Sequence, residues 1–333
     1  MDRNLGLELV RVTEAAALAA HEWEGRGDSH QADEAAVRQM RARLNDLPDL
    51  RATVVIGEGE RDAAPMLYRG EKVGGGWGYS FPPGYPVLNV QLAVDPLEGT
   101  GLCAYGRPDA IAVVAAAVEG EGSLLQAPDV YMMKIAVGPE ARGVIDIHAP
   151  IEHNLQCVAR AKGVRVEDLT VIMLDRDRHK EYMERVRKAG AKVHLITDGD
   201  VAAAIATAKP EAAADILYGS GGAPEGVLAA AALRCLGGEI QGILQFRNDD
   251  ERARAYDSGI RDHDKVYTTE ELASGNVLFV ATGVTGYPGR FLDGVLRTTH
   301  GAQTHSVIMR SRTGTIRWMR TEHVFRERPS YEA

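Results

Sequence analysis

The chain has 333 residues, which is enough for two domains or one large one. Hydrophobic residues make up 45% and charged residues 26%, as in a globular enzyme. The net charge of −9 argues against nucleic-acid binding. It does not argue against an anionic substrate, which local cations or a metal can hold. The three cysteines form no CxxC pair, which excludes a disulfide scaffold and suits a reducing cytoplasm. No apolar run reaches membrane-spanning length, and from the first residues we expect no signal peptide.

The first half of the chain predicts two amphipathic helices and then strands of one sheet. The helices are expected at 5–24 and 30–47. Strands that run into acidic turns are expected within 52–60 and 88–101, and three further strands, of one sheet, are expected at 110–118, 130–138 and 143–148. A loop rich in glycine, proline and aromatic residues (74–86) separates the first two strands. We therefore predict an N-terminal α+β domain over residues 1–150.

The second half alternates strands and helices more regularly. Strands are expected at 169–174, 192–197 and 214–219, and helices at about 179–189, 201–208 and 225–236. This spacing predicts an α/β domain with parallel strands over residues 151–333. Polar clusters (DRDRH, DGD and GSGGAPEG) follow the three strands. Because ligands in open α/β sheets bind beyond the carboxyl ends of strands, these clusters are expected to belong to one site.

Five acidic residues stand at or just past the ends of predicted elements: Asp33, Glu58, Asp95, Glu98 and Glu225. Mg²⁺ and Mn²⁺ prefer carboxylate oxygens, and two such ions about 3.5–4 Å apart can stabilise an in-line phosphoryl displacement. In the turn Asp-Pro-Leu-Glu-Gly-Thr (95–100), two carboxylates precede backbone N–H groups that can bind phosphate and a Thr100 hydroxyl that can orient a water. The set predicts a metal-dependent phosphate site.

Each of these features also has a structural interpretation. The GEGE sequence at 57–60 is typical of a solvated loop, and DGD at 198–200 is typical of a turn with an Asp helix cap. Asp33 could be an ordinary acidic residue in the first turn of a helix, where the helix dipole favours it. The functional interpretation is favoured because all of these features end neighbouring strands or begin helices in one α/β arrangement.

Several long segments resemble class II fructose-1,6-bisphosphatases, some of which also hydrolyse sedoheptulose-1,7-bisphosphate. The segments are IGEGERDAAPMLYRGEKVG (56–74), AVDPLEGTG (93–101), YMMKIAVGPEARGVIDIHAP (131–150), LITDGDVAAAI (195–205) and GGAPEGVLAAAALRCLGGEIQG (221–242), and the similarity extends over about residues 5–323. This family belongs to the lithium-sensitive phosphatases. The resemblance implies a layered α/β/α/β/α sandwich of the sugar phosphatase type.

The resemblance also implies roles for individual residues. The implied metal ligands, for Mg²⁺ or Mn²⁺, are Asp33, Glu58, Asp95, the Leu97 carbonyl, Glu98 and Glu225. Asp62, together with Thr100, would activate the nucleophilic water. The implied substrate contacts are Glu98, Gly99, Thr100, Tyr131, Arg176, Arg178, Asp198, Asp200 and Gly222. The two arginines suit a phosphate, and the two aspartates suit sugar hydroxyls.

Some positions depart from the family pattern. Ser29 and Gly101 stand where the family usually has lysine and arginine, and the loop at 74–86 is longer than usual. Two cations near the phosphates are thus missing, and the loop brings in Trp77, Tyr79 and further aromatic residues, which either contact the substrate or lie at a subunit contact. These departures predict a substrate preference altered from fructose-1,6-bisphosphate.

We therefore predict a divalent-metal-dependent phosphatase acting on a small phosphorylated sugar. One alternative is an authentic fructose-1,6-/sedoheptulose-1,7-bisphosphatase, and another is an inactive sugar-phosphate-binding regulatory protein, suggested by Ser29. The presence of every implied metal ligand argues against inactivity. A cytoplasmic homo-oligomer (dimer or tetramer), with no nucleic-acid or membrane partner, is expected.

Overall fold

The computed structural model describes residues 4–58, 66–209, 214–288 and 290–325. The chain divides into two compact units, the first formed by residues 1–124 and 275–333 and the second by residues 125–274. This division differs from the predicted boundary near residue 150. The difference arises because the chain returns after the second unit to complete the sheet of the first, which a linear pattern of strands and helices does not reveal.

The helices and strands are defined as follows. The helices are α1 (Leu5–His21), α2 (Ser29–Asn45), α3 (Thr100–Ala104), α4 (Ile151–Lys162), α5 (Lys180–Lys188), α6 (Asp200–Ala206), α7 (Ala223–Leu236), α8 (Asp249–Asp257) and α9 (Thr269–Leu272). The strands are β1 (Leu50–Ile56), β2 (Lys72–Val73), β3 (Leu88–Glu98), β4 (Ile111–Leu124), β5 (Tyr131–Val137), β6 (Thr170–Leu174), β7 (Lys192–Ile196), β8 (Ile216–Gly222), β9 (Glu239–Gln245), β10 (Val266–Thr268), β11 (Ala273–Gly283), β12 (Leu296–Thr298), β13 (Gly301–Arg310) and β14 (Thr315–Val324).

The first unit is built on a mixed sheet with the strand order β12-β13-β11-β4-β3-β1-β2, and β14 pairs with β13. Strands β1 and β3 are parallel, and β4 is antiparallel to β3. Helices α1 and α2 pack against this sheet and against each other. The predicted apolar stripe of α2 is confirmed at Val37, Met40 and Leu44, which are buried in the core, while Leu47 lies past the helix end and is half-buried.

The second unit has a six-stranded mixed sheet with the order β10-β9-β5-β8-β6-β7. Strand β6 is parallel to β7 and β8, as the alternation of strands and helices predicts, and β5 is antiparallel to β8 and β9. Helix α7 packs on β5, β8 and β9. Both units are thus mixed sheets carrying helices, which confirms the predicted α/β class and agrees with a layered sandwich.

Two expectations about strands are wrong. The stretches 110–118 and 130–138 correspond to β4 and β5, which belong to different sheets. The stretch 143–148 is not a strand, although Ile145 and Ile147 are buried. The Gln241 side chain accepts from the Ile147 N–H (3.0 Å) and donates to the Ile145 carbonyl (2.9 Å). A side-chain amide therefore satisfies backbone groups that a neighbouring strand would otherwise pair with.

None of the helices in the described ranges combines the length and the apolar character that crossing a membrane requires.

Candidate active site

Two of the acidic residues of the first unit lie near the ends of neighbouring parallel strands of its sheet. In the parallel pair β1/β3, Ile56 lies opposite Ala93. Glu58 is two residues after Ile56, and Asp95 is two residues after Ala93. Neighbouring strands are about 4.8 Å apart, and parallel strands end at the same edge. Glu58 and Asp95 therefore follow paired positions toward the same edge of the sheet.

The segment from Asp95 to Thr100 contains the end of β3, the connecting residue Gly99 and the first residue of α3. The Leu97 N–H donates to Asp95 Oδ1 (3.1 Å), and the β3/β4 register shifts between Asp95 and Glu98, as at a β-bulge. Gly99 follows in the left-handed region (φ 85°), where a Cβ would lie 2.9 Å from Leu102 Cδ1. Only glycine suits this position. The left-handed glycine connects the end of β3 at the buried Glu98 to the start of α3 at the half-buried Thr100.

Helix α2 brings a further carboxylate to this unit. Asp28 begins the helix by accepting from the Gln31 N–H (3.0 Å), and the helix packs against both β3 and α3. Burial raises the pKa of Asp33 to about 6, because a desolvated carboxylate is disfavoured, and His30 partly offsets this effect. Asp33 therefore differs from a solvated first-turn acid. A partly buried carboxyl group with a raised pKa is typical of functional sites.

The predicted substrate contacts of the second unit meet at one edge of its sheet. Tyr131 begins β5 and pairs with Gly222 at the end of β8 and with Gln245 at the end of β9. The parallel strands β6 and β7 end at the same edge as β8 and are followed by the remaining predicted contacts, Arg176, Arg178, Asp198 and Asp200. The structure therefore brings these six residues to one edge.

The two predicted phosphate-binding arginines are held by backbone carbonyls. Arg176 donates from Nη2 to the Thr197 carbonyl (2.7 Å), and Arg178 donates from Nε and Nη2 to the Ser220 carbonyl (3.2 and 2.7 Å). The buried His179 fixes the same loop, because its Nε2 accepts from the Ser220 N–H (2.8 Å) while Nδ1 contacts the Leu174 carbonyl (2.8 Å). Burial lowers the pKa of His179, which favours the neutral ring that this pattern requires.

A buried lysine, which sequence reasoning missed, forms an ion pair with one of the predicted substrate contacts of the second unit. Lys134 on β5 is 2% exposed, forms an ion pair with Asp200, and donates to the Gly222 carbonyl (2.9 Å). Asp200 is itself buried. The signal in the sequence was a single lysine inside the apolar run YMMKIAV, because a lysine at a buried position requires a carboxylate partner.

Glu225 lies next to this ion pair, in the first turn of α7. Burial raises the pKa of Glu225 to about 7; Asp200 adds to this effect and Lys134 opposes it. Glu225 Oε2 is buried and has no hydrogen-bond partner among the described residues. A Cβ at position 222 would lie 1.8 Å from this oxygen, so Gly222 is needed for the carboxylate to occupy its place. A buried carboxylate oxygen without a partner is suited to a cation, and Glu225 therefore fits the role of a metal ligand.

Asp62 lies outside the described residues. Within the described parts of the chain, no group of three or more histidine, cysteine, aspartate or glutamate side chains is arranged to hold a metal ion. The carboxylate and carbonyl oxygens of the predicted ligands are the donor type that hard divalent cations prefer. Their assignment as one set of metal ligands stays a prediction.

The raised pKa values lead to a prediction about pH. Between pH 5 and 7, Glu225 and Asp33 bind more protons in the folded metal-free protein than in the unfolded chain, so their contribution to stability falls as pH rises. Added Mn²⁺ must displace these protons, and its stabilising effect should therefore increase over the same range. Thermal unfolding with EDTA and with Mn²⁺ at several pH values measures both trends.

The variant Glu225→Gln serves as the control for this experiment, because it cannot titrate at position 225. The difference in melting temperature between wild type and variant removes the contribution of other groups, such as the buried His179. A difference that does not change between pH 5 and 8 contradicts the prediction.

Comparison with known proteins identifies the family. Residues 3–323 match the family described as bacterial fructose-1,6-bisphosphatase, glpX-encoded. A Synechococcus elongatus protein named D-fructose 1,6-bisphosphatase class 2/sedoheptulose 1,7-bisphosphatase is 42% identical over 341 residues, covering 98% of this chain and 97% of that protein. A Trichodesmium erythraeum protein of the same name is 43% identical over 347 residues, covering 98% of each. The chain belongs to the class II fructose-bisphosphatase family, and the predicted resemblance is confirmed.

It follows that the chain is a phosphoric monoester hydrolase, as the sequence predicts, and that it belongs to a metal-dependent family. Among solved structures, a chain described as an extragenic suppressor from Pyrococcus furiosus aligns with a TM-score of 0.29 and 13% identity, covering 60% of this chain and 68% of that one.

Proposed function

We propose that the chain is a divalent-metal-dependent phosphatase that hydrolyses fructose 1,6-bisphosphate and sedoheptulose 1,7-bisphosphate. The observation that carries the proposal is the match of 42–43% identity, over nearly the whole length of both chains, to relatives named for these two activities. The edge of the second unit supports it, because Tyr131, Arg176 and Arg178 lie together there and suit a phosphorylated sugar.

The expectation of an altered substrate finds no support in the comparisons, and neither does the expectation of an inactive binding protein. The aromatic loop was one reason for the first expectation. Arg51 holds this loop by donating to the carbonyls of Gly76 and Tyr79 (2.9 Å each), and the loop ends just before Leu88, which lies opposite Leu50 at the start of the parallel pair β1/β3. Asp95 is seven residues further along β3, about 23 Å away. Within the first unit, the loop is therefore at the opposite end of the strands from the carboxylates.

The side chains of the second unit have distinct proposed roles. Arg178 binds a substrate phosphate through N–H groups that the Ser220 carbonyl does not use. Asp198 accepts from a sugar hydroxyl. Asp200, which is buried and paired with Lys134, positions that lysine, which donates to the Gly222 carbonyl. The sugar is thus bound by groups whose positions are fixed by the protein before it arrives.

In the first unit, we propose Asp33, Glu58, Asp95, Glu98 and the Leu97 carbonyl as metal ligands, and in the second unit Glu225. Mg²⁺ or Mn²⁺, when bound, polarises the phosphate and lowers the pKa of a water. The Thr100 hydroxyl orients the attacking water, and Asp62 is proposed to take its proton. Gly99 and Thr100 offer backbone N–H groups to the phosphate oxygens, which gain charge as the bond to the leaving group lengthens.

A panel of sugar phosphates tests the proposal. We expect fructose 1,6-bisphosphate and sedoheptulose 1,7-bisphosphate to give the highest kcat/KM among sugar mono- and bisphosphates, with Mn²⁺ or Mg²⁺ present. Phosphate release is the measurement. Preference for another sugar phosphate would instead support the altered substrate preference that Ser29 and Gly101 predict. Binding of sugar phosphates without hydrolysis, with either metal, would favour the regulatory protein.

The assembly and compartment are also proposals: a cytoplasmic homo-oligomer, either a dimer or a tetramer. The exposed aromatic side chains of the loop, among them Trp77, Tyr79 and Tyr85, support a subunit contact. Analytical ultracentrifugation of the wild type and of Tyr79→Ser tests this assignment.

A further inference from the structure

A third arginine lies at the edge where the second unit gathers its proposed substrate contacts. Arg247 follows β9, two residues after Gln245, which pairs with Tyr131. Its guanidinium carbon is 5.0 Å from the centre of the Tyr131 ring, and that of Arg178 is 4.9 Å from the same centre. Neither the acidic clusters nor the polar segments after β6, β7 and β8 point to this residue.

The protein holds Arg247 in a fixed position. The buried Glu251, which is 1% exposed, accepts from the Arg247 backbone N–H (2.7 Å) and from Nε (2.5 Å). Glu251 is in turn placed by the Asn248 cap of α8, whose side chain accepts from the Glu251 N–H (2.9 Å). The Arg247 side chain is nevertheless 61% exposed, and its Nη1 makes no hydrogen bond or ion pair with the described residues. The guanidinium group is thus oriented by a buried carboxylate and open to a ligand.

Two arginines beside one tyrosine ring suit a phosphorylated ligand better than an uncharged sugar. The Arg178 Nη1 group also has no hydrogen-bond partner among the described residues, since Nε and Nη2 both donate to Ser220. The planar guanidinium group matches the oxygens of a phosphate, and a dianion is stabilised by more than one such group. The Tyr131 ring makes a cation–π contact with each of the two guanidinium groups.

We propose that Arg247 is a specificity-determining residue that binds the phosphate that the substrate retains, together with Arg178. This inference rests on the proposed bisphosphatase function. It identifies a source of positive charge for the second phosphate in a chain that has Ser29 and Gly101 where the family usually has cations. The structural alternative is that Arg247 only fastens the start of α8 to Glu251.

The experiment compares wild type, Arg247→Ala, Arg247→Lys and Arg252→Ala. Arg252 is a matched control, because it lies on α8 and its guanidinium carbon is 5.6 Å from the Phe246 ring centre, yet it does not contact Tyr131. We expect Arg247→Ala to raise KM for fructose 1,6-bisphosphate by about 10- to 100-fold, the value of one or more charged hydrogen bonds, with a smaller change in kcat. Arg247→Lys should recover part of this loss, and Arg252→Ala should match wild type.

Product inhibition shows which phosphate Arg247 binds. The inhibition constant of the monophosphate product should rise with KM in Arg247→Ala, while that of inorganic phosphate should stay within about threefold. Unchanged product inhibition in a variant with a lower melting temperature overturns the inference, because Arg247 would then only stabilise α8. A wild type without bisphosphatase activity overturns the proposed function instead, and this inference with it.

Discussion

Replacing Asp95 by Asn or Glu225 by Gln is expected to reduce kcat/KM by about 10³-fold or more. Each change removes the charge of a proposed metal ligand at nearly constant size, and a catalytic metal contributes several kcal/mol of transition-state stabilisation, at about 1.4 kcal/mol per tenfold in rate. Phosphate release from fructose 1,6-bisphosphate at saturating Mn²⁺ measures the loss. The metal concentration for half-maximal activity should rise in any variant that retains activity.

The fold should survive these changes. Glu225 Oε2 is buried and has no hydrogen-bond partner among the described residues, so the metal-free Glu225→Gln protein should be at least as stable as wild type near pH 7.5, where burial of the charge is costly. Glu140→Gln is the matched control, because this glutamate is exposed and follows the other end of β5. Full activity of Glu225→Gln, or full activity of the wild type after EDTA treatment, contradicts the proposed metal chemistry.

The end of the strand that carries Asp95 could be predicted from local sequence. The apolar run that leads into Asp-Pro-Leu-Glu-Gly-Thr forms β3, which ends at Glu98, and the left-handed Gly99 then precedes the start of α3 at Thr100. The same holds for α2, where the spacing of Val37, Met40 and Leu44 defines the buried face before any tertiary contact is known.

Lys134 could not be assigned in this way. Its position in YMMKIAV indicates only that a buried lysine needs a partner, and that partner, Asp200, lies 66 residues further along the chain. The contact depends on β5 pairing antiparallel with β8, which then places Gly222 and the start of α6 beside it. Strand pairing of this kind is determined by tertiary packing and not by a local pattern.

The aromatic loop shows a different limit. Its composition indicates a surface with aromatic side chains, and Trp77, Tyr79 and Tyr85 are indeed exposed. Its distance from Asp95 depends on the direction of β3. The loop precedes the start of this strand and Asp95 lies near its end, so most of the strand length separates them. Proximity in sequence was therefore a poor guide to proximity at the site.

Arg247 was missed for a related reason. The sequence argument sought polar residues after strands that alternate with helices, whereas Arg247 follows β9, which pairs antiparallel with β5. Antiparallel pairing places the end of β9 beside the beginning of β5, and so beside Tyr131. The sheet order, which the sequence does not encode locally, determines which loops share an edge.

Thr100→Ala is expected to lower kcat by about 10²- to 10³-fold, the effect of removing one positioning group from a preorganised site. Thr100 begins α3 directly after the left-handed Gly99, so its side chain is held by a turn that tolerates little movement. KM should change much less than kcat, because the proposed role of the hydroxyl is to orient the attacking water and not to bind the sugar. Steady-state kinetics with fructose 1,6-bisphosphate measures both constants.

Thr100→Ser provides the matched comparison, because it keeps the hydroxyl and removes only the methyl group. We expect it to retain kcat within about tenfold of wild type, and Thr298→Ala, at an exposed position on β12, to be indistinguishable from wild type. Equal losses in Thr100→Ala and Thr100→Ser would assign the effect to packing of the half-buried side chain at the start of α3. An unchanged kcat in Thr100→Ala would remove the hydroxyl from the mechanism, and the orientation of the water would then depend on the carboxylates alone.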